Sequence, residues 1–351
     1  MLPDGCIVTL ITPFTKEDAI DYDAIDVIVD WHLASGTVGF FTPCLSSEMF
    51  ALSNAERLAL ATHVKKRVGS RAVVVATGTY GGSIEEQAAF CNEIATCCDA
   101  VVVNTATLVP QAADEAAWKA AATRLLELTG SIQLGLYECP VPHKRLLSPA
   151  LIGWCARTGR FHFHKDTSCS MEAIRAKLDA IGKGTPFKFY NANVETLLPS
   201  LRAGAHGFSG IGANFYPHLH AWLCHAAANA PPSPAKKRPR STGNDVCVAM
   251  ERVQDFLALA EGTVVIRYPQ SAKEYLKEWA SGAGGPAAAT DPTAPPPVLD
   301  PACRHKPDGT AMGAYAPMLE HQHVALGAMW RMQHELSEAL GIKMAPPPAR
   351  G

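Results

Sequence analysis

In the sequence Phe161-His162-Phe163-His164-Lys165-Asp166-Thr167-Ser168, a short apolar segment ends at the lysine Lys165. Alternate side chains of a strand point to opposite faces, which puts Phe161, Phe163 and Lys165 on one face and the two histidines on the other. Burial against aromatic rings lowers a lysine pKa, and a shift from about 10.4 to about 7 to 8 takes on the order of 4 kcal/mol. We therefore predict a buried strand ending in a nucleophilic amine, the alternative being a lysine that only reaches solvent.

The size and charge of the chain narrow its class. It has 351 residues with 48% hydrophobic content, which is enough for one large core or two ordinary domains. With 31 basic and 33 acidic residues, the formal net charge is -2. This balance gives no reason to expect nucleic acid or an anionic membrane surface as a partner.

The sequence favours a cytoplasmic protein. Its apolar runs, such as Ala72 to Ala76, are far shorter than the roughly 20 residues of a membrane span. The segment Met1 to Gly5 has no basic region followed by an apolar one, so no secretory signal is expected. The 11 cysteines include no Cys-x-x-Cys pair, which argues against a disulfide framework or a zinc knuckle.

Short apolar runs alternate with stretches of helical period along most of the chain. The predicted strands are Cys6–Ile11, Val38–Thr42, Ala72–Ala76, Ala100–Val103, Gln133–Tyr137, Phe161–His164, Phe187–Tyr190 and Gly207–Gly210. The predicted helices between and after them are Tyr22–Leu33, Asn54–Val68, Ile84–Thr96, Glu115–Leu128, Pro149–Thr158, Met171–Ile181, Val194–Ala203 and Pro217–Ala228. Eight such units in about 230 residues predict a (β/α)8 TIM barrel, an α/β fold in which catalytic groups lie at the C-terminal ends of strands.

The composition changes after the predicted barrel, residues 1–229. Residues 230–243 form a Pro- and Lys-rich loop, and 281–312 form a low-complexity insertion, both too poor in apolar residues to be expected to order. The region 244–342 around the second insertion predicts a helical appendage, with helices at Asp245–Glu261, Gln270–Ala280 and Met318–Leu340 and a tail at 343–351. A basic run at Lys236 to Arg240 fits either a nuclear import signal or an ordinary solvated loop, and the sequence does not assign its role.

Five motifs in chain order resemble the dihydrodipicolinate synthase and N-acetylneuraminate lyase superfamily. They are Leu10-Ile11-Thr12-Pro13-Phe14, Ser46-Ser47-Glu48 with Ala51-Leu52-Ser53, Tyr137 with Pro140, Lys165-Asp166-Thr167, and Gly204-Ala205-His206-Gly207 leading to Ala213-Asn214. The resemblance implies a class I aldolase-type barrel whose lysine forms a Schiff base with pyruvate or another 2-oxo acid. It also implies a homodimer or homotetramer.

The resemblance assigns roles to individual residues. Lys165 matches the Schiff-base lysine and Tyr137 the tyrosine that relays protons, a step suited to a phenol near both imine and substrate. The loop Cys44-Leu45-Ser46-Ser47-Glu48 matches the segment that binds the keto acid carboxylate, with Ser46 keeping the hydroxyl. Ser209 falls where the family makes a backbone contact to the pyruvyl group, in place of the usual isoleucine.

Departures from the family pattern bear on the acceptor substrate. The segment Ala106-Thr107-Leu108 lacks the aromatic relay of dihydrodipicolinate synthases, and Pro142 stands where they carry an arginine. A cationic contact rebuilt from His143, Lys144 and Arg145 is left open. The segment Tyr190 to Glu195 lacks the aspartate of the sialic acid lyases, but the polar groups of Asn191 and Ser47 suit a hydroxylated substrate.

The sequence therefore predicts a carbon-carbon lyase, or a related dehydratase, with Leu45, Ser46, Ser47, Asn191 and Ser209 as substrate-binding residues. No cofactor is expected, because the lysine imine is itself the electron sink. Two alternatives remain: a condensation of the dihydrodipicolinate synthase type, and a barrel that binds without catalysing.

A metal site is not expected. The pair His162 and His164 should face the covering helices, away from the barrel axis. The pair His218 and His220 lies in a predicted helix, where a spacing of two does not share a face, and is interpreted as surface histidines.

Overall fold

The computed structural model describes residues 1–230, 246–280 and 320–345. The predicted insertion at 281–312, and all of the predicted loop at 230–243 except Ala230, lie outside the described residues. The chain divides into two compact units, one of Met1–Leu10 with Val38–Gly210 and one of Ile11–Thr37 with Ile211–Gly351. The domain boundaries proposed from the sequence stay predictions.

Eight parallel strands close into a barrel in the order in which they occur along the chain. They are β1 (Gly5–Thr9), β2 (Gly39–Phe41), β3 (Val73–Thr77), β4 (Ala100–Asn104), β5 (Leu134–Tyr137), β6 (Phe161–Asp166), β7 (Lys188–Asn191) and β8 (Gly207–Phe208). The barrel closes where Gly5 and Cys6 of β1 pair with Gly207 and Phe208 of β8. The predicted TIM barrel is confirmed.

A helix follows each strand, and further helices follow the last one. They are α1 (Tyr22–Ala34), α2 (Asn54–Val68), α3 (Ile84–Ile94), α4 (Glu115–Leu128), α5 (Pro149–Arg157), α6 (Met171–Ile181), α7 (Leu197–Arg202), α8 (Pro217–Asn229), α9 (Val246–Val264), α10 (Gln270–Ala280) and α11 (Glu320–Leu340). The predicted C-terminal helices are confirmed. Among the described residues, every helix falls short of the length and apolarity that a bilayer-crossing segment needs.

The first unit has two hydrophobic cores. The outer core joins the outer faces of the strands to α2 through α6, and Leu134, Leu136 and Phe189 belong to it. The inner core fills the barrel and contains strand and loop residues such as Val102, Phe163 and Tyr190. The catalytic candidates must therefore be sought among side chains that point to the inner core.

The predicted position of Phe161 on the same face as Lys165 is wrong. Phe161 pairs with Leu134 and belongs to the outer core, whereas Phe163 pairs with Gly135 and belongs to the inner core. The two pairs are consecutive on β5 but two residues apart on β6, so β6 carries an extra residue, a β-bulge at His162. The bulge changes the facing of the strand before Lys165, and alternation is regular only from Phe163 onward.

The second unit contains α1 and α8 through α11. Aromatic side chains form part of its core, with the rings of Tyr216 and Phe256 5.2 Å apart and those of Phe215 and Tyr275 also 5.2 Å apart. His218 and His220 of α8 are buried, so the prediction that they are surface histidines is wrong.

Candidate active site

Tyr137 and Lys165 lie side by side at the ends of two neighbouring strands. They are direct register partners between β5 and β6. Lys165 alternates with Phe163 of the inner core, and Tyr137 is itself an inner-core residue, so both side chains point into the barrel. The Nζ atom of Lys165 lies 4.6 Å from the centroid of the Tyr137 ring and 5.8 Å from that of the Phe41 ring. The structure thus brings the two residues predicted to be catalytic together.

The amine of Lys165 is almost fully shielded from water. The residue is 4% exposed, and burial lowers its pKa to about 8, although the nearby Cys44 and Cys139 oppose the shift. In the described part of the chain no carboxylate pairs with this amine. A lysine buried without a counter-ion releases its proton more readily than one in water, and this is the condition for a nucleophilic amine near neutral pH.

The phenol of Tyr137 has a thiol as its neighbour. Tyr137 is 3% exposed and its ring meets the Phe41 ring edge-on, with 5.4 Å between centroids. Cys139 belongs to the same inner core as Tyr137. Burial raises the pKa of Cys139 to about 11, so the thiol keeps its proton at neutral pH. Sequence reasoning missed Cys139, although its position two residues after Tyr137 on an extended segment would have placed it on the same face.

Two adjacent serines in the loop after β2, Ser46 and Ser47, differ in their hydrogen bonds, although both are predicted from the sequence to bind substrate. Leu45–Ser47 form a single 3-10 turn. The Ser47 hydroxyl donates to the Leu10 carbonyl at 2.6 Å and accepts from the Cys44 amide at 3.1 Å, so it holds the loop to the end of β1. The Ser46 hydroxyl makes no hydrogen bond with any described residue, while Leu45 packs on the inner core. Ser46 is therefore the loop hydroxyl that is available to a ligand.

Ser209 carries a buried hydroxyl with no partner. It lies just beyond β8, and alternation with Gly207, which pairs with the inner-core residue Tyr190, turns its side chain into the barrel. The residue is fully buried, and its Oγ finds no hydrogen-bond partner among the described residues. An unsatisfied buried hydroxyl costs free energy, so this group is suited to meet a polar ligand atom.

The Asn191 side chain does not lie with the candidate site residues that face the barrel interior. It pairs with Asp166 in the register of β6 and β7, on the outer face of the barrel. Its amide nitrogen donates to the hydroxyls of Thr196 and Ser200 at 2.9 and 3.0 Å, and its Oδ1 accepts from the Asn193 amide at 2.8 Å. The side chain is fully used in shaping the turn between β7 and α7.

The guanidinium of Arg145, in the loop after β5, is not available to bind a substrate carboxylate. Its nitrogens donate to the carbonyl oxygens of Pro110, Gln111 and Ala113 at 2.8 to 3.0 Å. The backbone carbonyl of Arg145 in turn accepts from Thr105 Oγ1 at 2.8 Å. Arg145 therefore fixes the loop between β4 and α4. Of the basic residues considered from the sequence, this objection does not arise for Lys144 or for His143, whose buried Nε2 finds no partner among the described residues.

A group of side chains outside the barrel has the composition of a metal site. Donor atoms of Glu138, His164 and Asp166 all lie within 4.8 Å of one another. The ammonium of Lys177 already lies 2.6 Å from Glu138 Oε1 and from Asp166 Oδ2, so a cation occupies the position between the carboxylates. His162, at the bulge, contacts the Gly159 carbonyl instead. The predicted absence of a metal stays a prediction.

Comparison with known proteins places this site in a family context. The model of the dihydrodipicolinate synthetase family matches residues 2–241 of the chain. The 4-hydroxy-tetrahydrodipicolinate synthase of Neisseria gonorrhoeae is 24% identical over 223 residues, which cover 64% of this chain and 75% of that protein.

Two solved structures share the fold at low sequence identity. CdNal from Clostridium difficile in complex with mannosamine has a TM-score of 0.72 at 15% identity, covering 94% of this chain and 98% of that one. The chloride-inhibited dihydrodipicolinate synthase from Acinetobacter baumannii, complexed with pyruvate, has a TM-score of 0.71 at 18% identity, covering 97% and 99%.

Proposed function

The chain belongs to the dihydrodipicolinate synthetase family and is an enzyme of the class I aldolase type, and on that premise we propose that Lys165 forms an imine with a 2-oxo acid. The observation that carries the proposal is the buried Lys165 amine, with its pKa lowered to about 8, over the ring of Tyr137. An imine of this kind allows a carbon-carbon bond next to it to be made or broken.

The chemistry follows from these two side chains. The neutral amine of Lys165 attacks the keto carbon, the keto oxygen leaves as water, and a protonated imine remains. This cation withdraws electrons, so that the carbon beside it can lose a proton or a carbon substituent and become an enamine. Tyr137 moves protons to and from the departing oxygen and the acceptor oxygen as general acid and base. No cofactor is required, because the imine accepts the electron pair.

Pyruvate is the 2-oxo acid that we propose as substrate. The related synthase of Acinetobacter baumannii is complexed with pyruvate. In this chain the Ser46 hydroxyl is free to bind the carboxylate, and the unpartnered Ser209 hydroxyl is free to bind a second polar atom of the same molecule. We expect Leu45 to contribute apolar contact and backbone groups.

For the acceptor we propose a hydroxylated aldehyde, so that the cleaved substrate is a keto-deoxy sugar acid. Pro142 supplies no charge for an aldehyde carboxylate and Arg145 is bonded to backbone carbonyls. CdNal, which shares the fold, is described with an amino sugar bound. The second candidate is condensation of the dihydrodipicolinate synthase type, favoured by the activity of the Neisseria gonorrhoeae relative. A cytoplasmic homo-oligomer remains our expectation for either activity.

Covalent trapping tests the proposal. The protein is incubated with pyruvate and sodium borohydride and its intact mass is measured, with Lys65→Met as a control at a lysine that is paired with Asp99 outside the barrel interior. Wild type and Lys65→Met should each gain one reduced adduct, and Lys165→Met should gain none. Absence of an adduct on wild type across a range of 2-oxo acids would contradict the proposed function and favour a barrel that only binds.

A further inference from the structure

Three buried ionisable side chains, Glu138, Asp166 and Lys177, form what we call the Lys177 cluster. Lys177 extends from α6 and is 2% exposed, and the two carboxylates are fully buried. Its ammonium donates to Glu138 Oε1 and to Asp166 Oδ2, each at 2.6 Å. One lysine of a covering helix therefore holds two carboxylates at the ends of neighbouring strands, Glu138 just after β5 and Asp166 as the last residue of β6.

The remaining carboxylate oxygens are also bonded. Glu138 Oε2 accepts from the Thr167 amide at 3.3 Å, and Oε1 also accepts from the Leu147 amide at 2.9 Å. Asp166 Oδ1 accepts from the Ser168 amide and hydroxyl at 3.0 and 2.6 Å. Each member of the cluster is thus fixed by several directional contacts.

His164 completes the surroundings of the cluster. Its Nε2 lies 4.0 Å from Glu138 Oε1 and 3.7 Å from Asp166 Oδ2, too far for a hydrogen bond. Its ring packs against Phe187 and Phe189. Burial raises the pKa of the Asp166 carboxyl, but the nearby His164 and Lys177 outweigh it and hold the pKa below its usual value. Asp166 is therefore an anion at neutral pH.

The cluster lies directly behind the two catalytic candidates. Glu138 is the residue after Tyr137, and Asp166 is the residue after Lys165. Because successive side chains point to opposite faces, Tyr137 and Lys165 face the barrel interior while the carboxylates face α6. Lys177 thus joins, from outside, the two strand ends that carry the phenol and the amine.

Stability alone does not explain a cluster of this kind. A buried ion pair often gives no more stability than apolar side chains of similar volume, because desolvation offsets the attraction between the charges. What the ions add is a defined geometry, since the ammonium must satisfy both carboxylates at hydrogen-bond distance. In other proteins such groups fix the register of neighbouring elements.

We propose that Lys177 is a positioning residue that sets the separation between the Tyr137 phenol and the Lys165 amine by binding Glu138 and Asp166 together. The inference rests on the proposed imine chemistry, in which both side chains must reach the same substrate. A displacement of about 1 Å at a reacting group can cost about 10²-fold in rate. Trapping needs only the amine, whereas proton transfer at the imine needs the amine and the phenol in register.

The main test uses a double variant that conserves net charge. Glu138→Gln with Lys177→Met removes one anion and one cation and leaves Asp166 beside His164. The matched control is Asp99→Asn with Lys65→Met, which removes another ion pair between a helix and the residue next to a strand end, since Asp99 directly precedes β4. Its nitrogen-to-oxygen distances are 2.7 and 2.6 Å, and it does not flank Tyr137 or Lys165. Glu138→Gln alone is a milder third variant that keeps the pair of Lys177 and Asp166.

Two quantities are measured for each variant: the fraction of protein trapped by pyruvate and borohydride, and the rate of deuterium exchange at C3 of pyruvate in D2O per trapped site. We expect the double variant to be trapped normally but to exchange about 10- to 100-fold more slowly. Its KM for pyruvate should change less than about threefold, because the residues proposed to bind the carboxylate of pyruvate are unchanged. The control pair should keep the wild-type rate, and Glu138→Gln should lie between.

The outcomes separate this inference from the proposed function. Exchange per trapped site within about threefold of wild type in the double variant would overturn the positioning role while leaving the imine chemistry intact. If the double variant does not fold, Glu138→Gln decides, and an unchanged rate there overturns the inference. An equal loss in the control pair would also overturn it, because any lost ion pair would then suffice. Failure of the wild type to be trapped would contradict the proposed function itself.

Discussion

The Nζ atom of Lys165 lies 4.6 Å from the centre of the Tyr137 ring, and the two residues are register partners on adjacent strands. Each is less than 5% exposed, so both side chains are largely shielded from solvent. Electrostatic interactions are stronger in such an environment than in water, which makes the protonation state of the Lys165 amine sensitive to a bound substrate. This pair is the basis for the predictions about catalysis.

Tyr137→Phe should separate imine formation from proton transfer. The ring packing against Phe41 is kept, so the variant should fold and still be trapped by pyruvate and borohydride. Loss of the phenol should reduce turnover, measured as deuterium exchange at C3 of pyruvate, by on the order of 10² to 10⁴. Cys139→Ala is the control for the neighbouring thiol and should have a smaller effect. A Phe variant within a few fold of wild type would show that the phenol is structural.

Lys165→Met should make the protein more stable at neutral pH. Burial lowers the Lys165 pKa from 10.5 to about 8, so the folded state releases this proton more readily than the unfolded state does. Below pH 8 the amine is protonated in both states, and burying the charge costs about 3 kcal/mol relative to a neutral side chain. Between pH 8 and 10.5 this cost falls, and above 10.5 it is absent.

The measurement is the free energy of unfolding of wild type and Lys165→Met in denaturant at pH 6.5 and 9.5. The variant should be more stable by about 3 kcal/mol at the lower pH, and the difference should shrink at the higher pH. Lys65→Met is the control. Because Lys65 forms an ion pair with Asp99, its replacement should not raise the free energy of unfolding of the protein. A Lys165→Met variant less stable than wild type at pH 6.5 would contradict the claim that the buried charge of Lys165 destabilises the folded protein.

Ser46→Ala and Ser47→Ala should have different consequences despite their adjacency. A hydrogen bond to a carboxylate is worth about 1.5 to 3 kcal/mol, so Ser46→Ala should weaken pyruvate binding by about 10- to 100-fold with little change in stability. Ser47→Ala removes the bonds to Leu10 and Cys44 and should lower the free energy of unfolding by about 1 to 3 kcal/mol. Pyruvate concentrations for half-maximal trapping, with denaturant unfolding, measure both. If Ser47→Ala weakened pyruvate binding and Ser46→Ala lowered stability, Ser47 would be the residue that binds pyruvate and Ser46 the one that holds the loop.

Much of the fold is local enough to be predicted from the sequence. The start of α2 follows from Ser53 and Glu56, which form a capping box, and the helix observed at Asn54–Val68 matches the prediction. Ser148 before Pro149 marks the start of α5 in the same way. The alternation of eight strands and helices is enough to predict the barrel, because a parallel sheet needs a crossover after each strand.

The features that were missed depend on contacts between distant residues. The bulge in β6 arises from its pairing with Leu134 and Gly135 of β5, which no local pattern of β6 reveals. The burial of His218 reflects contacts formed far along the chain, since its imidazole bonds Ser337, 119 residues away.

The candidate site was partly predictable for the same reason. Lys165 and Tyr137 end strands whose order the alternation defines, so their meeting could be expected. The Lys177 cluster joins three elements, and its members, at positions 138, 166 and 177, show no common spacing. The difference between Ser46 and Ser47 depends on the Leu10 carbonyl 37 residues away, which sequence reading cannot place.

The choice of acceptor substrate depends on groups that this chain lacks or uses elsewhere. Condensation with an aldehyde that carries a carboxylate needs a cation near the phenol, and the Arg145 guanidinium is bonded to three backbone carbonyls. A charged group left unpaired on binding costs about 1 to 3 kcal/mol or more. Loss of an aromatic proton relay at Ala106 to Leu108 removes a further contribution of roughly 10² to 10⁴.

We therefore expect condensation of pyruvate with aspartate semialdehyde to be several orders of magnitude slower than cleavage of a keto-deoxy sugar acid. Both reactions are measured on one preparation, the first by loss of the aldehyde and the second by release of pyruvate, with Lys165→Met as the blank. Lys144→Ala tests the lysine of this loop and should leave sugar acid cleavage unchanged. Fast condensation with inert sugar acids would contradict the assignment. If Lys144→Ala then abolished condensation, Lys144 would be the group that binds the aldehyde carboxylate.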